Sequence, residues 1–253
     1  MKTKLSLLVF FITQINTTHL SAQKFYATLA GGYAFSAPGN VIGTNYIFDL
    51  TNPSATRQEN VYGTLGRGFN TSAIIGYMLT DYIAVETGYS YLAMEGHETG
   101  TGDPRYPEFY YLTELNSKMS RVFAALKITG GIRFKPYCKL GFMYGIGTEV
   151  TIDGVSVPYV SFNTYSGGSA PGGLGALGVE YKLKGRFWIF LEGNILYQVF
   201  SPDKLEVYDL TDTNTYELVD NWQTNNATQK LRQTFSFSSI GINAGIKFSF
   251  GGK

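Results

Sequence analysis

The stretch TFSFSSIGINAGIKFSF runs from Thr234 to Phe250 and decides the fold. Ile240, Ile242, Ala244, Ile246, Phe248 and Phe250 are apolar, while Ser239, Gly241, Asn243, Gly245, Lys247 and Ser249 are small or polar. Strict alternation describes a strand with one oily and one wet face. Strands of soluble proteins usually run to about five or six residues. A strand that crosses a membrane needs roughly nine to eleven. The length and the terminal aromatic predict a membrane-crossing strand over 234–250.

The N-terminus carries an export address. Met1-Lys-Thr-Lys4 is basic, Leu5 to Ile12 is apolar, and a polar stretch ends in Leu20-Ser-Ala-Gln23. This pattern reads as a secretory signal peptide over residues 1–22, cut between Ala22 and Gln23. Eight apolar residues are too few to cross a ~30 Å hydrocarbon core as a helix. No later stretch approaches 18 apolar residues either, so any spanning is by strands.

Working back from the C-terminus, the pattern predicts eight strands, at 24–36, 68–79, 82–94, 118–129, 135–149, 172–183, 186–200 and 234–250. Tight turns at Thr80-Asp81, Gly130 to Phe134 and Lys184-Gly185 alternate with long connections over 37–67, 95–117, 150–171 and 201–233. Within the last connection, Lys204 to Leu210 and Thr215 to Val219 flank a turn-rich tetrapeptide and read as a hairpin. Short turns on one side and long loops on the other predict an all-β, eight-stranded antiparallel up-and-down transmembrane barrel over 23–253. Its four long loops face the exterior.

A soluble eight-stranded barrel would show the same alternation with the faces exchanged. Three features favour the membrane. The export signal is present, small residues recur on the polar face, and aromatics collect at strand ends. Phe25, Tyr77, Tyr82, Tyr137, Tyr181, Phe187, Phe248 and Phe250 fall near the short turns, and Tyr33, Phe35, Phe69, Tyr91 and Tyr197 near the long loops. Such rings suit both membrane interfaces.

These features carry a resemblance. With Phe134-Lys-Pro-Tyr137 opening a strand after a tight turn, the chain resembles the small outer-membrane barrels that include the OmpA membrane domain, OmpX and OmpW-like porin-family proteins. The resemblance implies the outer membrane of a Gram-negative bacterium and surrounding lipids that include lipopolysaccharide. It also implies a C-terminal strand, with Ile246, Phe248 and Phe250, recognised by the barrel-assembly machinery. Here the chain continues for Gly251-Gly-Lys253 beyond the final aromatic.

Charge sorts by region. The four long connections hold 14 acidic residues against 6 basic ones. Arg133, Lys135, Lys182, Lys184 and Arg186 crowd the short-turn end, with Lys24, Lys247 and Lys253. Acidic loops fit solubility and, secondarily, divalent cations that bridge lipopolysaccharide. The lumen-facing positions carry Glu86, Arg121, Lys127, Lys139, Glu180, Glu192 and Lys247, and an eight-stranded barrel leaves room for little beyond its own side chains. These seven are expected to form a salt-bridged plug, with a gated polar pathway as the alternative.

No chemistry of turnover is legible. His97, expected on a loop beside Glu98, is the one histidine after the signal, and Cys138 the one cysteine. They provide neither a Ser-His-Glu constellation nor a metal set. Gly167-Gly168 and Gly172-Gly173 read as loop glycines without the strand, loop and helix order of a phosphate cradle. Nothing points to nucleic acid or a cofactor. The leading expectation is a structural or surface-interaction barrel. A narrow channel for small solutes comes next, then a lipid-modifying enzyme. No extracellular ligand can be named from the residues.

Overall fold

The computed structural model describes residues 25–37, 41–47, 51, 57–94, 96–102, 111–156, 159–208, 212–220 and 227–250. Residues 1–22, read as a signal peptide, the expected Ala22–Gln23 junction, Lys24 and Gly251 to Lys253 lie outside them. Along the chain, β1 (Phe25–Ser36) is followed by β2 (Val41–Ile47) and β3 (Arg57–Tyr62) in the first long connection. A hairpin of β4 (Gly68–Met78) and β5 (Ile83–Ala93) comes next, then β6 (His97–Gly102). Two long strands follow, β7 (Tyr111–Thr129) and β8 (Phe134–Ser156), then β9 (Tyr159–Ser166), β10 (Ala170–Lys182) and β11 (Phe187–Phe200). The last connection carries β12 (Lys204–Tyr208), β13 (Thr213–Val219), β14 (Gln229–Leu231) and β15 (Phe235–Ser236), before β16 (Ser239–Phe250).

Eight of these strands close a barrel, in the order β1-β4-β5-β7-β8-β10-β11-β16, with β16 pairing back onto β1. Every pairing in the ring is antiparallel. From Ile83 the paired residues run Ile128, Cys138, Leu177, Gly193, Ile242, Tyr33 and Phe69, and the circuit returns to β5 at Ala93. One turn therefore climbs ten residues, from 83 to 93. With ~3.3 Å per residue and ~4.8 Å between strands, that stagger tilts the strands by about 40° and gives a backbone cylinder about 8 Å in radius. Side chains fill such a bore.

The short turns are built by local chemistry. Thr80 Oγ1 accepts from the amides of Tyr82 (3.2 Å) and Ile83 (3.0 Å) and so closes the β4–β5 turn. Gly185 sits at φ 63° in the β10–β11 turn, a left-handed conformation that costs glycine little.

Three boundaries differ from the sequence reading. The C-terminal strand does not begin at Thr234. Phe237 breaks the alternation because its ring is fully buried in the apolar cluster at the long-loop end, and β16 starts at Ser239. Its 12 residues, tilted by about 40°, still cover roughly 30 Å, the thickness of a bilayer core. Residues 111–117 and 150–156, expected in loops, extend β7 and β8 outward past a bulge between Lys118 and Ser120. Gly172 and Gly173 lie inside β10 rather than in a flexible loop.

Above that bulge the long connections build a second structure. Strands β3-β2-β6-β7-β8-β9-β12-β13-β14 form one continuous outer sheet at the long-loop end of the barrel, antiparallel except for β2–β6 and β13–β14. The hairpin read from 204–219 is its β12–β13 unit. A tag inserted between Tyr208 and Thr213 should be labelled on intact cells, whereas one at Gly185 should need a permeabilised outer membrane. The reverse pattern would contradict this orientation.

Like charges meet on this sheet. Glu98 pairs with Glu114, and Glu114 with Asp153, across β6, β7 and β8. Partial burial and then the Glu114 charge raise the Asp153 carboxyl above the usual carboxylate range, against a hydrogen bond from Asn116. A raised folded-state value makes this stabilising contribution largest at low pH and removes it as pH rises through that value. Asp153→Asn should therefore stabilise the outer sheet at neutral pH by a few tenths of a kcal/mol. The gain over wild type should vanish in melts run under acid.

Candidate functional site: the lumen

The barrel is apolar outside and charged inside. Leu140, Phe142 and Leu177 are 75%, 83% and 71% exposed on the outer face, with Ile75, Ile195 and Ile242 beside them. All seven charges assigned from sequence to the lumen are buried, at 7% exposure or less. Water would reverse this arrangement, and lipid requires it. The chain folds as a small outer-membrane β-barrel.

Aromatic contacts mark both rims of this outer-membrane barrel. Phe25 packs on Tyr77 at 4.8 Å between ring centres and Phe187 on Phe248 at 5.2 Å, near the short turns. Tyr33 meets Phe69 at 5.3 Å near the long loops. Tyr137 does not belong to the lower belt. It precedes Lys139 by two residues, shares its inward face, and is buried.

Inside, six of the seven charges form one network. Lys127 and Lys139 are cross-strand partners, an arrangement that is repulsive on its own. Glu86 resolves it by reaching both, with Oε1 3.3 Å from Lys127 Nζ and Oε2 2.9 Å from Lys139 Nζ. Lys139 also meets Glu192 Oε2 at 2.8 Å. Lys127 bridges on to Glu180, whose second oxygen accepts from Lys247 Nζ at 2.8 Å. Three carboxylates alternate with three ammonium groups, so the network is neutral.

Two tyrosines complete it: Tyr26, which the sequence reading did not single out, and Tyr137, which it placed in the aromatic belt. The Tyr26 hydroxyl donates to Glu86 Oε1 at 2.6 Å and the Tyr137 hydroxyl to Glu192 Oε2 at 3.0 Å. Their rings lie under the lysines, with Lys247 Nζ 4.0 Å from the Tyr26 centre and Lys127 Nζ 4.1 Å from that of Tyr137. Glycine makes the room. A Cβ at Gly76 would sit 2.1 Å from the Tyr26 ring, and one at Gly178 2.4 Å from the Tyr137 ring. Inward parity two residues from Lys139 was the available signal for Tyr137.

Arg121 is not part of the network. It lies on β7 six residues from Lys127, roughly 20 Å further along the strand. Between the two levels Ile74, Phe123, Met143 and Leu196 pack together, beside the buried polar side chains of Ser90, Asn194 and Asn243. The lumen charges read from sequence as one set are therefore a network and a separate arginine. At the long-loop mouth a second apolar cluster includes Leu65, Tyr165, Phe200, Leu205, Leu218 and Phe237. These come from the connections and the outer sheet as well as from barrel strands.

The other sequence candidates fall outside the lumen. Residue 97 lies in β6, above the membrane, and not on a loop; β6 pairs with the outer part of β7. Cys138 is exposed on the outer face. Ile246 is exposed on the lipid side of β16, Phe248 contacts Phe250 at 5.2 Å, and Phe25 pairs with Phe250. No group of three or more His, Cys, Asp or Glu residues suited to a metal occurs among the described residues.

No protein family and no curated protein matches the sequence. Among solved structures the chain is similar to Neisserial surface protein A (NspA), at 11% identity over 89% of this chain and 97% of that one, with a TM-score of 0.47. It is also similar to the outer membrane protease OmpT of Escherichia coli, at 9% identity over 93% and 99%, with a TM-score of 0.41. A third is Ail, the attachment invasion locus protein of Yersinia pestis, in complex with the heparin analogue sucrose octasulfate. Ail is 13% identical over 89% of this chain and 99% of its own, with a TM-score of 0.38.

Proposed function

We propose that this protein is a closed barrel of the Gram-negative outer membrane with a structural or surface-interaction role. The observation that carries the reading is the double closure of the bore, by the neutral six-residue network near the short turns and the apolar cap at the other mouth. Solute would have to part buried ion pairs, and separating them leaves uncompensated charge in a narrow space. All three buried carboxylates are held by lysines. None is left free to serve as a general base, which argues against a lipid-modifying enzyme.

The contact surface in this reading is the extracellular sheet. It stands above the lipopolysaccharide-bearing leaflet and carries acidic connections. The outer face of the barrel meets lipid, and β16 with Ile246, Phe248 and Phe250 is the segment offered to the assembly machinery. Liposome swelling tests the closure. Vesicles loaded with the refolded barrel should swell in isosmotic arabinose no faster than protein-free vesicles. Swelling at the rate of an open pore would replace this reading with a solute channel.

A further inference from the structure

Among the described residues the buried charged side chains are three carboxylates and four cations. Six cancel within the network, and Arg121 is left over. It is fully buried, its Nε faces Met119 Sδ at 3.3 Å, and neither Nη1 nor Nη2 has a partner. A guanidinium in a dry site without a counter-charge is among the costliest arrangements a fold can hold.

The unsatisfied groups converge on one place. Arg121 is flanked in register by Ser90 on β5 and Gly145 on β8. Ala170 Cβ, Thr148 Oγ1 and Met119 Sδ close in on Gly145, at 2.7, 3.0 and 3.2 Å from where a Cβ would stand. The Thr148 hydroxyl is buried without a partner. Gln198 donates its amide to the Ala170 carbonyl at 2.8 Å, which fixes its orientation and leaves Oε1 unpaired. Between this place and the network lies a cavity of about 40 Å³, lined by Ser90, Asn70, Asn194, Asn243, Lys139 and Glu192, among others.

We infer that Arg121 binds a small monovalent anion of the halide class in the upper lumen, with the Thr148 hydroxyl as a second donor. One negative charge neutralises the one surplus positive charge. Four unshared guanidinium N–H bonds and a hydroxyl supply the donors. The Met119 thioether beside the guanidinium suits a polarisable, weakly hydrated ion better than a carboxylate or phosphate. Gln198 Oε1 accepts from a hydroxyl or a water at the edge of the site.

The test uses the refolded full barrel in detergent. Crystals grown in bromide should show an anomalous peak within hydrogen-bonding reach of Arg121 Nη1 or Nη2. Density that refines as water alone, with no anomalous signal, overturns the inference. In melts at matched ionic strength, millimolar chloride should raise the wild-type melting temperature by several degrees over gluconate, because a ligand of the folded state stabilises it by mass action. Arg121→Met should abolish that dependence, and Thr148→Val should raise the chloride concentration required about tenfold. Equal wild-type melting in the two salts, or undiminished chloride dependence in Arg121→Met, also overturns it. Should Arg121→Met not refold, the bromide peak in wild type decides.

Discussion

Glu86→Gln should destabilise the folded barrel by about 3–5 kcal/mol, the usual consequence of removing one member of a buried ion pair. Among the described residues Glu86 is the only acid that reaches both Lys127 and Lys139, which face each other across β7 and β8. Its neutral replacement keeps the shape and leaves three ammonium groups against two carboxylates. Urea titration followed by gel mobility would read the loss. The double variant Glu86→Gln/Lys139→Gln restores neutrality and should cost less than the sum of the single changes. Additive losses would mean that the side chains act separately and not as a network.

Ile242→Arg should cost about 2–4 kcal/mol in folding into bilayers, as for a cation placed near the midplane on the lipid face. Ile242 is 55% exposed on the outer face, whereas its neighbour Asn243 points inward at 8%. Asn243 accepts a long hydrogen bond of 3.4 Å from Asn70, so Asn243→Ser should be mild, well under the Ile242→Arg loss. Equal tolerance at the two positions would exchange the inside and outside of the barrel.

The period of two was legible because membrane and lumen impose opposite chemistry on successive residues of β16, β5 and β11. Above the bilayer that contrast disappears. Around Thr151, Asp153 and Thr164 the alternation fades, and the outer parts of β7 and β8, with β9, read as loops although they are paired. The charged residues of the lumen were legible as a set, by parity. Their wiring was not, because it depends on the ten-residue stagger of the ring. Parity gives the face and not the height, which is how Arg121 came to be grouped with side chains roughly 20 Å away. Tyr137 was misplaced for the opposite reason, since nearness to a turn was weighed above the face it shares with Lys139. The cap was beyond sequence because Phe237, Leu65 and Tyr165 meet only when three connections fold over the mouth.

Planar-bilayer recording of the purified wild-type barrel tests the closed lumen most directly. The account predicts almost no steady current in wild type and a measurable leak in Glu86→Gln, where the network has lost its centre. A large, steady wild-type conductance, unchanged by Glu86→Gln, would contradict it and make this barrel a channel.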